Sequence, residues 1–240
     1  MPNVLILVDS DQAQPSGFSA ATQMIDALQI AIRDNQATSN TTALDQSSWQ
    51  VEVRVATTLT PNQFSHEGLG DSLLCPLTLA VPEWLEFPAQ SVYQACQDIE
   101  GLRQRVLQWQ YKVGEGNGWL PIVLTGKGPL YGEVIGVKGA VPVGSDLNAS
   151  HYFQPIHLVD VQRQALYGLA QRLLRSLAVP PAVYLLQFGF HGETLQFDRL
   201  IPFPAAPAIA SINLQEPDLF DCHWRCLTNQ PILDLTISAV

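Results

Sequence analysis

The chain has 240 residues, of which 47% are hydrophobic and only 14% charged, and its 12 basic against 22 acidic side chains give a formal net charge of -10. That sign opposes phosphate backbones and anionic bilayers, so no nucleic acid and no membrane surface is expected as a partner, and no run approaches the roughly eighteen apolar residues of a spanning helix. Four cysteines are too few for a disulfide scaffold in a chain of this size, which suits a reducing cytoplasm. A surface this poor in charge, against about 25% in ordinary proteins, resists association weakly, and a protein partner or a homo-oligomer is expected.

The first strand is predicted over Val4 to Val8, a continuous apolar run as in a strand buried on both faces. It meets Asp9 and Asp11, two carboxylates where open α/β sheets hold ligands and where a hard cation such as magnesium could sit. From Ser19, a candidate N-cap, apolar residues Ala21, Met24, Ile25, Leu28, Ala31 and Ile32 fall at helical spacing. The alternating "VEVRVA" of residues 51 to 56 completes strand, helix, strand, the unit of a parallel sheet. Residues 57 to 88 are proline-rich, with "LLCPLTLAV" as a third strand.

Val92, Ala95, Cys96, Ile99, Leu102, Val106 and Trp109 predict a helix over residues 90 to 112, interrupted at Gly101. "LPIVLT" and "GEVIGVKG" predict two strands joined by a glycine-rich turn, and Asp160 a helix cap ahead of a leucine stripe that runs to Leu177 and stops at Pro180 and Pro181. "AVYLLQFGF" and "TLQFDRLIPF" form a hairpin about Gly192. The tail, with "DCHWRCL" and "ILDLTI", is expected to form short strands, and "PFPAAPAIAS" at residues 202 to 211 to be an exposed apolar segment. Cys222, His223 and Cys226 offer zinc-type donors, but strand alternation would put His223 on the opposite face from the thiols.

The turn "TGKGPLYG" contains Gly126, Lys127, Gly128 and Gly132. Its glycines are misordered for a P-loop, and for a dinucleotide fingerprint Pro129 removes a donor and a strand follows where a helix is required. Lys112, Lys127 and Lys138 are the only lysines of the chain and flank this turn in sequence. They would attract a phosphate or carboxylate; alternatively the glycines only shape a tight loop.

"GWLPIVLTGKGPLYGEVIGV", the helix at 160 to 177 and "AVYLLQFGFHGETLQFDRLIPFPAAP" together resemble the ATP-grasp superfamily, in which a glycine-rich loop between two strands closes over nucleotide phosphates. The resemblance covers most of the chain. It implies an α/β fold with a strand-helix-strand N-terminal lobe, residues 1 to 88, and an α+β lobe with β-hairpins, residues 89 to 240, or one continuous domain. It also implies ATP held at Lys127 and its glycines, with magnesium at the family's metal motif. Where the family carries a Glu-x-Asn-Pro metal motif, however, this chain has Arg199 and Ile201, leaving Asp198 nearby. A degenerate, non-catalytic binding protein is therefore the leading expectation; a working ATP-dependent carboxylate-amine ligase using Asp198, Glu133 or Glu193, and a scaffold with no small ligand, are the alternatives.

Overall fold

The computed structural model describes residues 3–9, 19–39, 49–66, 72–139 and 151–238. Strand β1 (Asn3–Val8), helix α1 (Ala20–Ser39), strand β2 (Gln50–Val55), the short helix α2 (Pro61–His66) and strand β3 (Leu73–Pro76) open the chain. The three strands form a parallel sheet in the order β2-β1-β3, with Val4 opposite Val51 and Leu73. Burial on both faces accounts for the unbroken apolar run of β1: Val4, Ile6 and Val8 pack with Met24, Leu28 and Ile32 of α1, while Leu5 and Leu7 pack with Ala56, Leu59 and Leu85.

The predicted helix over 90 to 112 is two helices, α3 (Gln90–Gln97) and α4 (Ile99–Gln108). The break lies at Asp98 and not at Gly101, because the Asp98 carboxylate turns back to accept the Gly101 N–H at 2.9 Å and caps α4. Strand β4 (Lys112–Val113) follows, then β5 (Gly118–Thr125), β6 (Gly128–Tyr131), β7 (Val134–Val137) and β8 (Tyr152–Ile156). The return strand after the glycine turn is thus split: β6 pairs with the end of β5 and β7 with its beginning, and between them the Gly132 N–H donates to the Pro121 carbonyl.

Helix α5 (Asp160–Leu177) buries Leu166, Leu169, Ala170, Leu173 and Leu174, as the leucine stripe predicts. Its N-cap is Val159; Asp160 is the first helical residue, where its charge meets the positive helix end and pairs with Arg163. Ala178, at φ 48, terminates the helix before the two prolines. Strands β9 (Ala182–His191) and β10 (Thr194–Ile201) form the predicted hairpin and complete a seven-stranded sheet in the order β4-β10-β9-β5-β7-β8, with β6 on the far half of β5. Together with α3 and α4, α5 covers one face of this sheet.

The tail departs from the strand expectation. Residues 219–227 form helix α6 (Leu219–Leu227), and only two-residue strands, β11 (Gln215–Glu216) and β12 (Thr236–Ile237), flank it. The signal for a helix was present: Asp218 caps it, accepting from Phe220 N at 2.8 Å and Asp221 N at 2.9 Å. Replacing Asp218 with alanine is expected to cost about 1 kcal/mol, seen as a lower denaturant midpoint with an unchanged slope. Alternation misled because nearly every side of α6 is covered, including Phe220, Cys222, His223, Trp224 and Cys226.

Helix α6 lies between α1 and β9, so Leu28 and Ile32 share one cluster of buried residues with Trp224, Val183 and Leu185. Asn35 of α1 donates to the Asp221 carboxylate at 2.7 Å, and Arg225 closes on the same carboxylate. The segment 202–211, expected on the surface, is largely buried: Pro202, Phe203, Pro207, Ala208, Ile209 and Ser211 pack inward, most of them through a 3-10 turn at Ala206–Ser211. Its alternating small residues and prolines fit the space between α1 and the large sheet, so it supplies no exposed apolar patch. Among the described residues no helix is long and apolar enough to cross a membrane.

Candidate functional site

The glycine turn is the tip of the β5–β6 hairpin. Thr125 Oγ1 accepts the Lys127 N–H at 3.1 Å and donates to the Gly128 carbonyl at 2.9 Å, so the loop closes on itself. The backbone donor at Lys127 that a phosphate would use is engaged. Gly128 sits at φ +130, a conformation L side chains rarely adopt, which accounts for one glycine without any ligand. Gly126 and Lys127 are exposed, whereas Gly132 is buried with Pro121 against the position a Cβ would take.

Strand register separates the lysines that the sequence groups. Lys112 opposes Gln196, which opposes Gly189, one residue past the Phe188–Gly118 pair at the start of β5. Lys138 follows β7, whose Ile135 opposes Trp119, so it too lies toward the start of β5. Lys127 lies beyond the opposite end of β5, about 25 Å away at ~3.3 Å per residue. From β4, which holds Lys112, to β7, which Lys138 follows, the sheet runs through β10, β9 and β5, four spacings or about 19 Å across. The three exposed lysines do not form one anion site.

Asp198 is the most constrained charge among these residues. It is 1% exposed and sits where the β9–β10 register skips between Phe197 and Arg199. Its Oδ1 accepts from Arg103 Nη2 at 2.7 Å and from Arg199 Nε at 3.3 Å, and its Oδ2 accepts the Gly116 N–H at 3.1 Å. Arg103 also donates through Nε to the Asp198 carbonyl at 3.1 Å. Gly116 is fixed in turn: its carbonyl accepts from Gln187 Nε2 at 2.6 Å, and a Cβ there would stand 2.0 Å from the Phe188 carbonyl oxygen. Arg199, at the position where the resemblance expects a metal-binding glutamate, spends its guanidinium on this carboxylate. A divalent cation at Asp198 would have to displace two positive groups.

The remaining acidic candidates do not join it. Asp9 accepts from Thr78 Oγ1 at 2.5 Å beside the small sheet, and Asp11 lies outside the described residues. Glu193 is exposed in the β9–β10 turn, and Glu133 sits at the break between β6 and β7. Among the described residues no group of three or more His, Cys, Asp or Glu side chains could hold a metal ion. The zinc-type set is in the core: burial pushes the Cys222 thiol up and the Cys226 thiol up to about 12, and it holds His223 down at about 3. Nδ1 of His223 accepts the Val183 N–H at 3.2 Å. Sequence reasoning missed Arg103, whose partner is 95 residues away along the chain; only the fold brings the two together.

No family model matches the chain, and no curated protein matches it in sequence. Solved structures match it in fold. N5-carboxyaminoimidazole ribonucleotide synthetase from Thermotoga maritima superposes over 99% of this chain and 78% of its own, with TM-score 0.68 and 8% identity. N5-carboxyaminoimidazole synthetase from Staphylococcus aureus, solved in complex with ADP, covers 98% of this chain and 80% of its own with TM-score 0.68 and 8% identity. Glycinamide-RNase-transformylase T from Mycobacterium tuberculosis covers 96% and 80% with TM-score 0.65 and 16% identity. These are ATP-grasp enzymes, and the chain has an ATP-grasp-like α/β fold over most of its length.

Proposed function

We propose that the chain is a cytoplasmic binding protein on a degenerate ATP-grasp-like frame, holding a ligand or a protein partner without turning it over. The observation that carries this reading is the Asp198 node: its carboxylate is filled by Arg103, Arg199 and the Gly116 N–H, at the end of the sheet away from Lys127. A phosphate held by Lys127 and a cation held by Asp198 would lie too far apart to act on one nucleotide. The four cysteines are free and buried, as a reducing compartment would keep them. Exposed Val159, Val161 and Leu233 supply apolar surface to a partner or a second copy.

A second reading, an ATP-dependent carboxylate-amine ligase, draws support from the nucleotide-bound state of similar structures, one with ADP and another, from Aspergillus clavatus, with ATP. Calorimetry with ATP and ADP, with and without magnesium, on the wild type and Lys127→Ala, combined with a phosphate-release assay, separates the two. Heats that are equal in both proteins, or absent from both, with no phosphate released, are the expected result, since the turn is closed by its own hydrogen bonds. A tenfold or greater loss of affinity in Lys127→Ala would put a phosphate at the turn. Magnesium-dependent release of phosphate from ATP would overturn the non-catalytic reading in favour of the ligase.

A further inference from the structure

Tyr131 of β6 and Tyr167 of α5 stack face to face, with ring centroids 4.1 Å apart and planes inclined by only 9°. Aromatic pairs usually settle edge-on or offset, at about 4.5 to 7 Å between centroids. The other ring pairs among the described residues keep to that range, at 5.2 to 6.0 Å, and none of them joins two tyrosines. The close contact follows from the fold. Tyr131 opposes Ile122 across the β5–β6 ladder and so shares the face that α5 covers, while Tyr167 stands one position past Leu166, at the margin of the leucine stripe.

Both rings are half-buried, within reach of solvent. Tyr93 and Tyr184, by contrast, are sealed in the core and spend their hydroxyls on the Pro76 and Pro180 carbonyls. Burial raises the Tyr131 and Tyr167 phenols above their ordinary pKa, so each is protonated at neutral pH and releases its proton when it loses an electron. Nearly parallel rings at this separation put carbon atoms of the two phenols in van der Waals contact, and the positions ortho to the hydroxyls need only side-chain rotation to meet. A radical formed on either ring therefore has the other as its nearest tyrosine.

We propose that Tyr131 and Tyr167 form a site of oxidative modification, at which two equivalents of a diffusible one-electron oxidant couple the rings into dityrosine. Each oxidant takes one electron, and each phenol releases one proton to solvent. The two phenoxyl radicals form one carbon–carbon bond between ring carbons ortho to the oxygens, and the hydrogens on those carbons move to the oxygens as aromaticity returns. The product is two hydrogen atoms lighter and fastens β6, the return arm of the glycine hairpin, to α5. The step uses neither Asp198 nor a nucleotide, so it stands whether or not a ligand binds elsewhere.

The test oxidises the full chain, kept dilute, with tris(bipyridyl)ruthenium and persulfate under visible light and then digests it with trypsin. Cleavage after Lys127, Lys138, Arg163 and Arg172 releases each of the two tyrosines alone in its own peptide, residues 128–138 and 164–172. A joined pair of these peptides, two hydrogens lighter than their sum, is expected, with dityrosine emission per chain independent of protein concentration. Tyr131→Phe and Tyr167→Phe, which keep the stacked ring, are each expected to lower that emission at least fivefold, and Tyr152→Phe to leave it unchanged. Absence of the joined peptides from the wild type overturns the proposal. So does emission that rises with protein concentration, which would place the coupling between chains, or emission undiminished in either variant of the stacked pair. The peptide arm uses only the wild type and stands even if a variant does not fold.

Discussion

Asp198→Ala is expected to lose roughly 2–4 kcal/mol of stability in chemical denaturation, a large share of what a domain of this size holds. The substitution leaves the Gly116 N–H buried without an acceptor and two guanidinium groups without their counter-charge. Arg103 and Arg199 are 23% and 39% exposed and recover part of their hydration, which keeps the loss below that of a wholly sealed pair. Asp198→Asn keeps an acceptor for Gly116 and is expected to lose about half as much. If Asp198 instead held a cation, magnesium would raise the melting temperature of the wild type and not of Asp198→Asn. No such shift is expected, because the carboxylate oxygens are already engaged.

A steep acid sensitivity centred on His223 is the second large effect. Burial lowers its folded pKa from 6.5 to about 3, so between these values the unfolded chain binds the proton and the folded chain does not. Stability then rises with pH at up to about 1.4 kcal/mol per unit across this window. The contribution is fully present above pH 6.5, is reduced by about 2 kcal/mol at pH 5, and is gone below about pH 3. Urea denaturation across pH 7 to about 4.5 measures the slope. His223→Gln, whose side-chain oxygen can accept the Val183 N–H without titrating, is expected to flatten it; an unchanged slope would assign the acid sensitivity to other groups. Asp218 works in the opposite sense around its own raised pKa, burial being the cause, so the difference between the two proteins, not either curve alone, isolates His223.

Local pattern made most of the fold legible. The apolar run of β1, the leucine stripe of α5 and the Gly192 hairpin are each fixed by neighbours within a few residues, and each forms as the sequence predicts. Alternation failed at α6 because a helix covered on nearly all sides has no polar stripe, and the capping aspartate was the better signal. Composition misled at residues 202–211 for a related reason: small residues and proline mark a surface loop or a tightly packed connector equally well. The candidate site was the least legible part. Proximity in sequence grouped three lysines that strand register spreads over two ends of a sheet, while the partners of Asp198, including Arg103 and Gly116, are 95 and 82 residues distant. That Arg199 stands where the resemblance implies a glutamate was visible; that the arginine turns on the neighbouring aspartate was not.

The position of α6 against α1 bears on how the chain is made. Leu28 and Ile32 come off the ribosome early, but Trp224 and Phe220 cover them only after nearly two hundred further residues have been added. Until then the first sheet and its helix carry an uncovered apolar flank during synthesis, when exposed surface of this kind invites aggregation. A premature stop between Ile201 and Leu219 would leave that flank bare, so such shortened products should be insoluble even though every strand of the large sheet has already been translated.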